Sequence, residues 1–211
     1  MLRYILMNAW RFPIIKHAWG LPKMSADSFV RDSSDNRPIV LCCGDSITHG
    51  HIGYDWVGAL REKDSSKIYV NAGINGDLAW NLNQRLENAL KCNPDYITIL
   101  IGTNDAMGSQ KIKFIQEYYV TNKGLPQLPS MDWYKKELES MIQCIKSHSN
   151  AKIAISTLPW IGERASDDII SVVKEYNNII KNMASKYDLI LIDFFSHLSK
   201  FIGNNSDSHP Y

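Results

Sequence analysis

The chain has 211 residues, 45% of them hydrophobic and 21% charged, with a formal net charge of +1 at pH 7. That length suits one domain of the usual roughly 100–200 residues. The near-neutral charge gives no electrostatic reason to expect a nucleic-acid partner. The four cysteines, Cys42, Cys43, Cys92 and Cys144, show no CxxC spacing. Cys42 and Cys43 are neighbours on a predicted strand and point to opposite faces, so a local disulfide is not expected. Buried thiols in a reducing compartment are the simplest account, and a cytoplasmic location is the expectation.

Residues 1–37 read as an extension and residues 38–211 as the domain proper. Between Met1 and Lys23 stand Arg3, Arg11 and Lys16 and no acidic residue, interleaved with Trp10, Phe12 and Trp19. No uninterrupted apolar stretch approaches the roughly 18–20 residues of a membrane span. Asn8 and Arg11 interrupt the apolar core that a secretory signal would need. Two readings stay open: a segment packed against the domain, or a basic, aromatic interfacial anchor in which residues 1–23 make peripheral membrane contact. The polar stretch 25–37 leads into the domain.

From Pro38 onward strands and helices alternate. The apolar runs 39–43, 68–70, 96–101, 153–156 and 189–192 are short and rich in Ile, Val and Leu. Such runs predict strands buried on both faces, as in a parallel sheet. Helices are predicted over 54–62, 78–90, 132–147 and 167–187. In the third, Leu138, Met141, Ile142 and Ile145 form a one-sided stripe at helical spacing. Alternation on this scale predicts an α/β fold, a three-layer α/β/α sandwich on a flavodoxin-like five-stranded parallel sheet. Residues 107–130 break the rhythm. With Gly108, Gly124, Pro126 and Pro129, they read as a long loop at the functional edge and part of the substrate pocket; the plain alternative is a surface insertion.

Gly44-Asp45-Ser46-Ile47-Thr48-His49-Gly50 follows the first predicted strand. A serine where a buried strand turns into a helix stands at the sheet's carboxyl edge, where open α/β folds bind ligands. Asp-Ser is also an ordinary helix N-cap pair, so the local signal is weak alone. Three more segments end at the same edge: Asn71-Ala72-Gly73-Ile74-Asn75-Gly76-Asp77, Gly102-Thr103-Asn104-Asp105, and Asp207-Ser208-His209-Pro210 near the C-terminus. Together they supply the parts of an acyl-transfer site. Ser46 needs a base, which His209 can provide, and an acid beside the histidine would hold its tautomer. The Ser46 amide, the Gly76 amide and the Asn104 side chain would supply oxyanion donors from three loops.

In order, these four segments resemble the blocks of the SGNH (GDSL-type) hydrolases, and the resemblance covers 38–211. It implies an α/β/α sandwich and an esterase, lipase, thioesterase or carbohydrate O-acetyl esterase activity. Ser46 would be the nucleophile, Gly76 and Asn104 oxyanion donors and His209 the general base, with no metal or organic cofactor. The family's last block is usually Asp-x-x-His. Here Ser206 stands three residues before His209 and Asp207 only two, so Asp207 would serve as the acid only with a remodelled loop. Otherwise a backbone carbonyl or Ser206 would orient the imidazole.

Other residues have competing readings. His49 and His51 form His-x-His without a third ligand at metal-site spacing, so structural or solvent roles are expected. Asp45 reads as turn-stabilising, since adjacency to Ser46 makes triad geometry difficult. Asp105 is expected to hold the Asn104 loop, and Asp193 to cap a strand end. Trp160 reads either as an acyl-pocket wall or as an ordinary packed aromatic, and Trp56 and Trp80 as core. No Gly-Lys-Ser/Thr phosphate loop occurs. The expected function is therefore a serine ester hydrolase acting on a small-molecule or lipid ester, lysophospholipid and O-acetyl esters included. The alternative is a catalytically impaired binding module of the same fold.

Overall fold

A computed structural model describes residues 20–51, 53–161 and 168–204, with side chains through Phe201. Five strands, β1 (Ile39–Gly44), β2 (Ile68–Gly73), β3 (Tyr96–Leu100), β4 (Lys152–Ser156) and β5 (Ile190–Ile192), form one sheet. All pairings are parallel, in the order β2-β1-β3-β4-β5. This is the flavodoxin-like doubly wound order, whose switch point lies between β1 and β3. The described residues also form eight helices: α1 (Ser46–His49), α2 (Trp56–Lys63), α3 (Ala79–Leu90), α4 (Thr103–Ser109), α5 (Lys113–Lys123), α6 (Met131–His148), α7 (Asp168–Tyr187) and α8 (Phe194–Asn204).

Alternation along the strands sorts the core onto two faces. Ile39, Leu41, Cys43, Val70, Ile97, Ile99, Ile153 and Ile155 meet Leu82 and Leu86 of α3, Leu138, Met141 and Ile142 of α6, and Val173, Tyr176 and Ile180 of α7. On the opposite face Val40, Cys42 and Tyr69 meet Val57 of α2, with Trp56 and Leu60 alongside. Cys42 and Cys43 therefore do face opposite ways, and all four cysteines are free thiols. Burial pushes both adjacent thiols up to about 12, which leaves them protonated and unreactive.

The expected strands and helices recur with ends shifted by a few residues. β2 runs on to Gly73, because Asn71 and Ala72 stay in register with Cys42 and Cys43 of β1. The reading of 107–130 as a long loop is wrong. It holds the end of α4 and the whole of α5, and Gly124 closes α5 in the left-handed conformation at φ +62°. The stretch 20–37 adds no layer. It runs beside β2, where Asn71 donates its amide to Met24 O and accepts at its carbonyl from Ala26 N.

Candidate active site

Ser46, Gly76 and Asn104 come from the segments after β1, β2 and β3, three adjacent strands. Ser46 is the first residue of α1 and half-buried. The Asp45 side chain caps this helix by accepting from Ile47 N at 2.9 Å, as its turn-stabilising reading expects. Asp45 is fully buried, and burial pushes its carboxyl up to about 7. At the other end of α1, Asn71 Nδ2 donates to Thr48 O at 2.8 Å, while its Oδ1 accepts from Gly73 N. Gly73 permits this close seating. A Cβ there would stand 2.2 Å from His49 N.

Gly76 occupies a turn in which Asp77 N donates to Ile74 O at 3.2 Å, and Ile74 N donates to Gly44 O. Its φ of +75° is that of a glycine third in a type II turn. Among the described residues its own N–H has no acceptor. Asn104, in the first turn of α4, donates one amide hydrogen to Asp77 O at 2.9 Å and accepts from the Tyr119 hydroxyl at 2.8 Å. Among the described residues the second hydrogen of its Nδ2 has no acceptor. Gly76 and Asn104 thus follow the two strands that neighbour β1, the strand that leads to Ser46.

Beneath the turn lies a charge cluster that the sequence did not announce. Asp77, nearly buried, meets Arg85 Nε at 2.9 Å and Lys123 Nζ at 2.8 Å. Lys123 also donates to Asn75 O at 2.9 Å, and Arg85 to Gly44 O at 3.3 Å. Tyr119 and Lys123 share one face of α5, at i and i+4. So the misread segment braces Asn104 and the Gly76 turn. The signal was there: Ile112, Ile115, Tyr119 and Val120 recur at helical spacing before Gly124.

Asp105 accepts from Ala79 N at 3.0 Å, tying α4 to the start of α3. Burial pushes its carboxyl up to about 8. Asp193 accepts from Ser196 N at 3.2 Å and caps α8 rather than joining Ser46. It follows β5, three strands from β1, about 14 Å away at the usual strand spacing. His49 is buried and donates from Nε2 to Gly20 O at 3.1 Å. Its ring meets His51 edge-on at 5.9 Å. Among the described residues no group of three or more His, Cys, Asp or Glu is arranged to hold a metal. Trp160 stacks on Phe195. His209, Asp207 and Ser206 lie outside the described residues, as do residues 1–19. No described helix is long and apolar enough to cross a membrane.

Beside Ser46 an apolar trough of about 720 Å³ opens over the sheet, walled by Ile47, Tyr54, Trp56 and Leu60 and floored by Thr98, Ile192 and Phe194. Trp56, expected in the core, lines this trough.

A five-stranded parallel sheet in this order, with helices on its faces, defines a doubly wound α/β/α protein. The chain belongs to the GDSL-like lipase/acylhydrolase family, which matches residues 42–210. It is 25% identical over 125 residues to an acetylxylan esterase of Geobacillus stearothermophilus. That match covers 59% of this chain and 52% of the relative, so the chain spans about half the length of the curated relative it matches. The crystal structure of Axe2, an acetylxylan esterase from the same organism, superposes with a TM-score of 0.65 at 22% identity, over 79% of this chain and 80% of that one. The acetyl xylan esterase AlAXEase gives 0.64 at 25% identity, over 80% and 84%.

Proposed function

We propose that the chain is a serine ester hydrolase, with Ser46 as nucleophile, His209 as general base, and the Ser46 amide, the Gly76 amide and Asn104 Nδ2 as oxyanion donors. The observation that carries this is the placement of Ser46 between two strand-end segments whose remaining N–H donors are unclaimed by described residues. Ser46 Oγ attacks the ester carbonyl carbon while His209 takes the hydroxyl proton. The tetrahedral oxyanion collapses, the alcohol leaves with that proton, and an acyl-Ser46 remains. Water then attacks the acyl carbon, gives its proton to His209, and the carboxylic acid departs as Ser46 recovers its own. Asp207 is the candidate to orient His209.

The acyl group proposed is short, an O-acetyl ester on a carbohydrate. Supporting this are the acetylxylan esterases among the relatives. A long-chain lipid ester is the second reading, favoured by the apolar trough beside Ser46. Labelling with a fluorophosphonate, located by mass spectrometry, tests the mechanism. An adduct on Ser46, lost in Ser46→Ala and strongly reduced in His209→Ala, is expected. Folded protein that binds ester but gives no adduct would favour the impaired binding module. Rates on acetyl against long-chain esters of one alcohol decide between the acyl groups.

A further inference from the structure

We propose that Lys123 is a positioning residue for the Ser46 site. Its ammonium latches the Asn75–Gly76 peptide so that the Gly76 N–H is presented as a donor. This deepens the ester-hydrolase reading, and rests on it for the use to which that donor is put. The peptide links the two central residues of the turn Ile74-Asn75-Gly76-Asp77, which Asp77 N closes by donating to Ile74 O at 3.2 Å. Asn75 lies outside the left-handed region while Gly76 has φ +75°, the combination of a type II turn. Type I, the commonest turn, closes the same four residues with the central peptide turned over, and it too accepts a glycine in third place. The sequence of the turn therefore leaves both orientations of this one peptide open.

What decides between them comes from 48 residues away. Lys123 Nζ donates to Asn75 O at 2.9 Å and pairs with Asp77 Oδ1 at 2.8 Å. The carbonyl oxygen and amide hydrogen of a trans peptide point in opposite directions. Holding Asn75 O on the lysine thus aims the Gly76 N–H away from it, where no described residue accepts it. The ammonium also polarises the amide and makes that N–H a stronger donor. Lys123 is itself well held. It ends α5, its side chain is 16% exposed, and its own carbonyl accepts from Asn81 Nδ2 at 2.9 Å. Its stem lies along the turn, so a Cβ on Gly76 would stand 3.5 Å from Cδ and 3.7 Å from Nζ. Asp77 joins the two proposed donors, since its carboxylate pairs with Lys123 and its carbonyl accepts from Asn104 Nδ2. Without the latch, the type I form would withdraw the Gly76 N–H and put Asn75 O on the side that N–H had faced. An oxyanion there would lose a donor and meet a lone pair.

Lys123→Met keeps most of the stem and removes the ammonium. Nuclear Overhauser contacts read the peptide directly: Asn75 Hα lies against the Gly76 amide hydrogen in type II, and the Asn75 amide hydrogen does so in type I. The parent should show the first contact alone, and Lys123→Met should gain the second. A charge-assisted bond shifts such an equilibrium by about ten- to a hundredfold. On an activated acetyl ester kcat should therefore fall about tenfold or more, with KM little changed. Lys123→Gln, gentler on Asp77 because its amide can still donate, should show the same changes in smaller degree. Ile145→Ala, a truncation in the core face of α6, lowers stability alone and should keep the type II contact and the parent's kcat. A peptide that stays type II in both Lys123 variants overturns the proposal, as does an equal fall of kcat in Ile145→Ala. So does a flipped peptide with kcat unchanged, which would remove the Gly76 N–H from the reaction. Fluorophosphonate labelling of Ser46 in the parent reads the ester-hydrolase assignment separately. Without adduct or turnover that reading fails, and the peptide's orientation in the Lys123 variants still upholds or overturns the latch.

Discussion

Tyr119 donates its hydroxyl to Asn104 Oδ1 at 2.8 Å, across 15 residues of sequence and from one helix to another. With Asp77 O accepting at 2.9 Å, the Asn104 amide is fixed in plane and one N–H is left to point elsewhere. Tyr119 is thus a positioning residue for the proposed oxyanion site. Tyr119→Phe loses a hydrogen bond worth about 1 kcal/mol, so kcat on an activated acetyl ester should fall about fivefold with KM little changed. Asn104→Ala should cost about 10²–10³ in kcat. The double variant should be no slower than Asn104→Ala alone. Multiplying effects would mean that Tyr119 acts by another route.

Lys123 contributes to the fold through Asp77 and the Asn75 carbonyl. Replacing it with Met leaves Asp77, 4% exposed, with Arg85 as its remaining cation. Removing one partner of a buried pair costs about 3–5 kcal/mol, and Arg85 should hold the loss near the lower figure. Urea denaturation should show a lowered midpoint at unchanged slope. A midpoint equal to the parent's would remove the cluster from the account of stability.

Two glycines separate conformation from space. A Cβ on Gly76 meets the Lys123 side chain, no closer than 3.5 Å at Cδ, so Gly76→Ala should cost about 1–2 kcal/mol, from its φ of +75° alone. A Cβ on Gly73 would strike the α1 backbone at 2.2 Å, where nothing flexible can give way. Gly73→Ala should therefore be the more destabilising, by about 3 kcal/mol or more. Thermal unfolding of the two variants gives the order directly.

Burial raises the carboxyls of Asp45 and Asp105 to about 7 and about 8. An unfolded aspartate titrates near 3.9, so between about pH 4 and pH 8 the folded state holds protons that the unfolded state has released. These two groups therefore favour the fold most at low pH, and their contribution is lost as pH rises through the folded values. Asp105→Asn keeps an oxygen to accept from Ala79 N and removes the titration. Its melting temperature should fall less than the parent's between pH 5 and pH 8, and parallel profiles would rule out Asp105 as the cause.

What the sequence determined by itself was whatever depends on near neighbours. Buried parallel strands are continuous apolar runs, so 39–43 and 153–156 were visible, and strand alternation with one-sided helices such as 132–147 implied the doubly wound sheet. Because parallel strands end together, the segments bearing Ser46, Gly76 and Asn104 were expected at one edge, and there they lie. Asp207 and His209 stand outside the described residues. Tertiary structure alone decided what braces that edge. Lys123 lies 48 residues from Asn75 and Arg85 lies 41 from Gly44, and no local periodicity encodes such pairings. Glycines and prolines in 107–130 disguised α5, whose helical form is supported by packing Tyr119 and Leu125 against Leu78 and Trp133. Local chemistry writes the elements and their order; which surfaces meet depends on contacts between residues far apart in the chain.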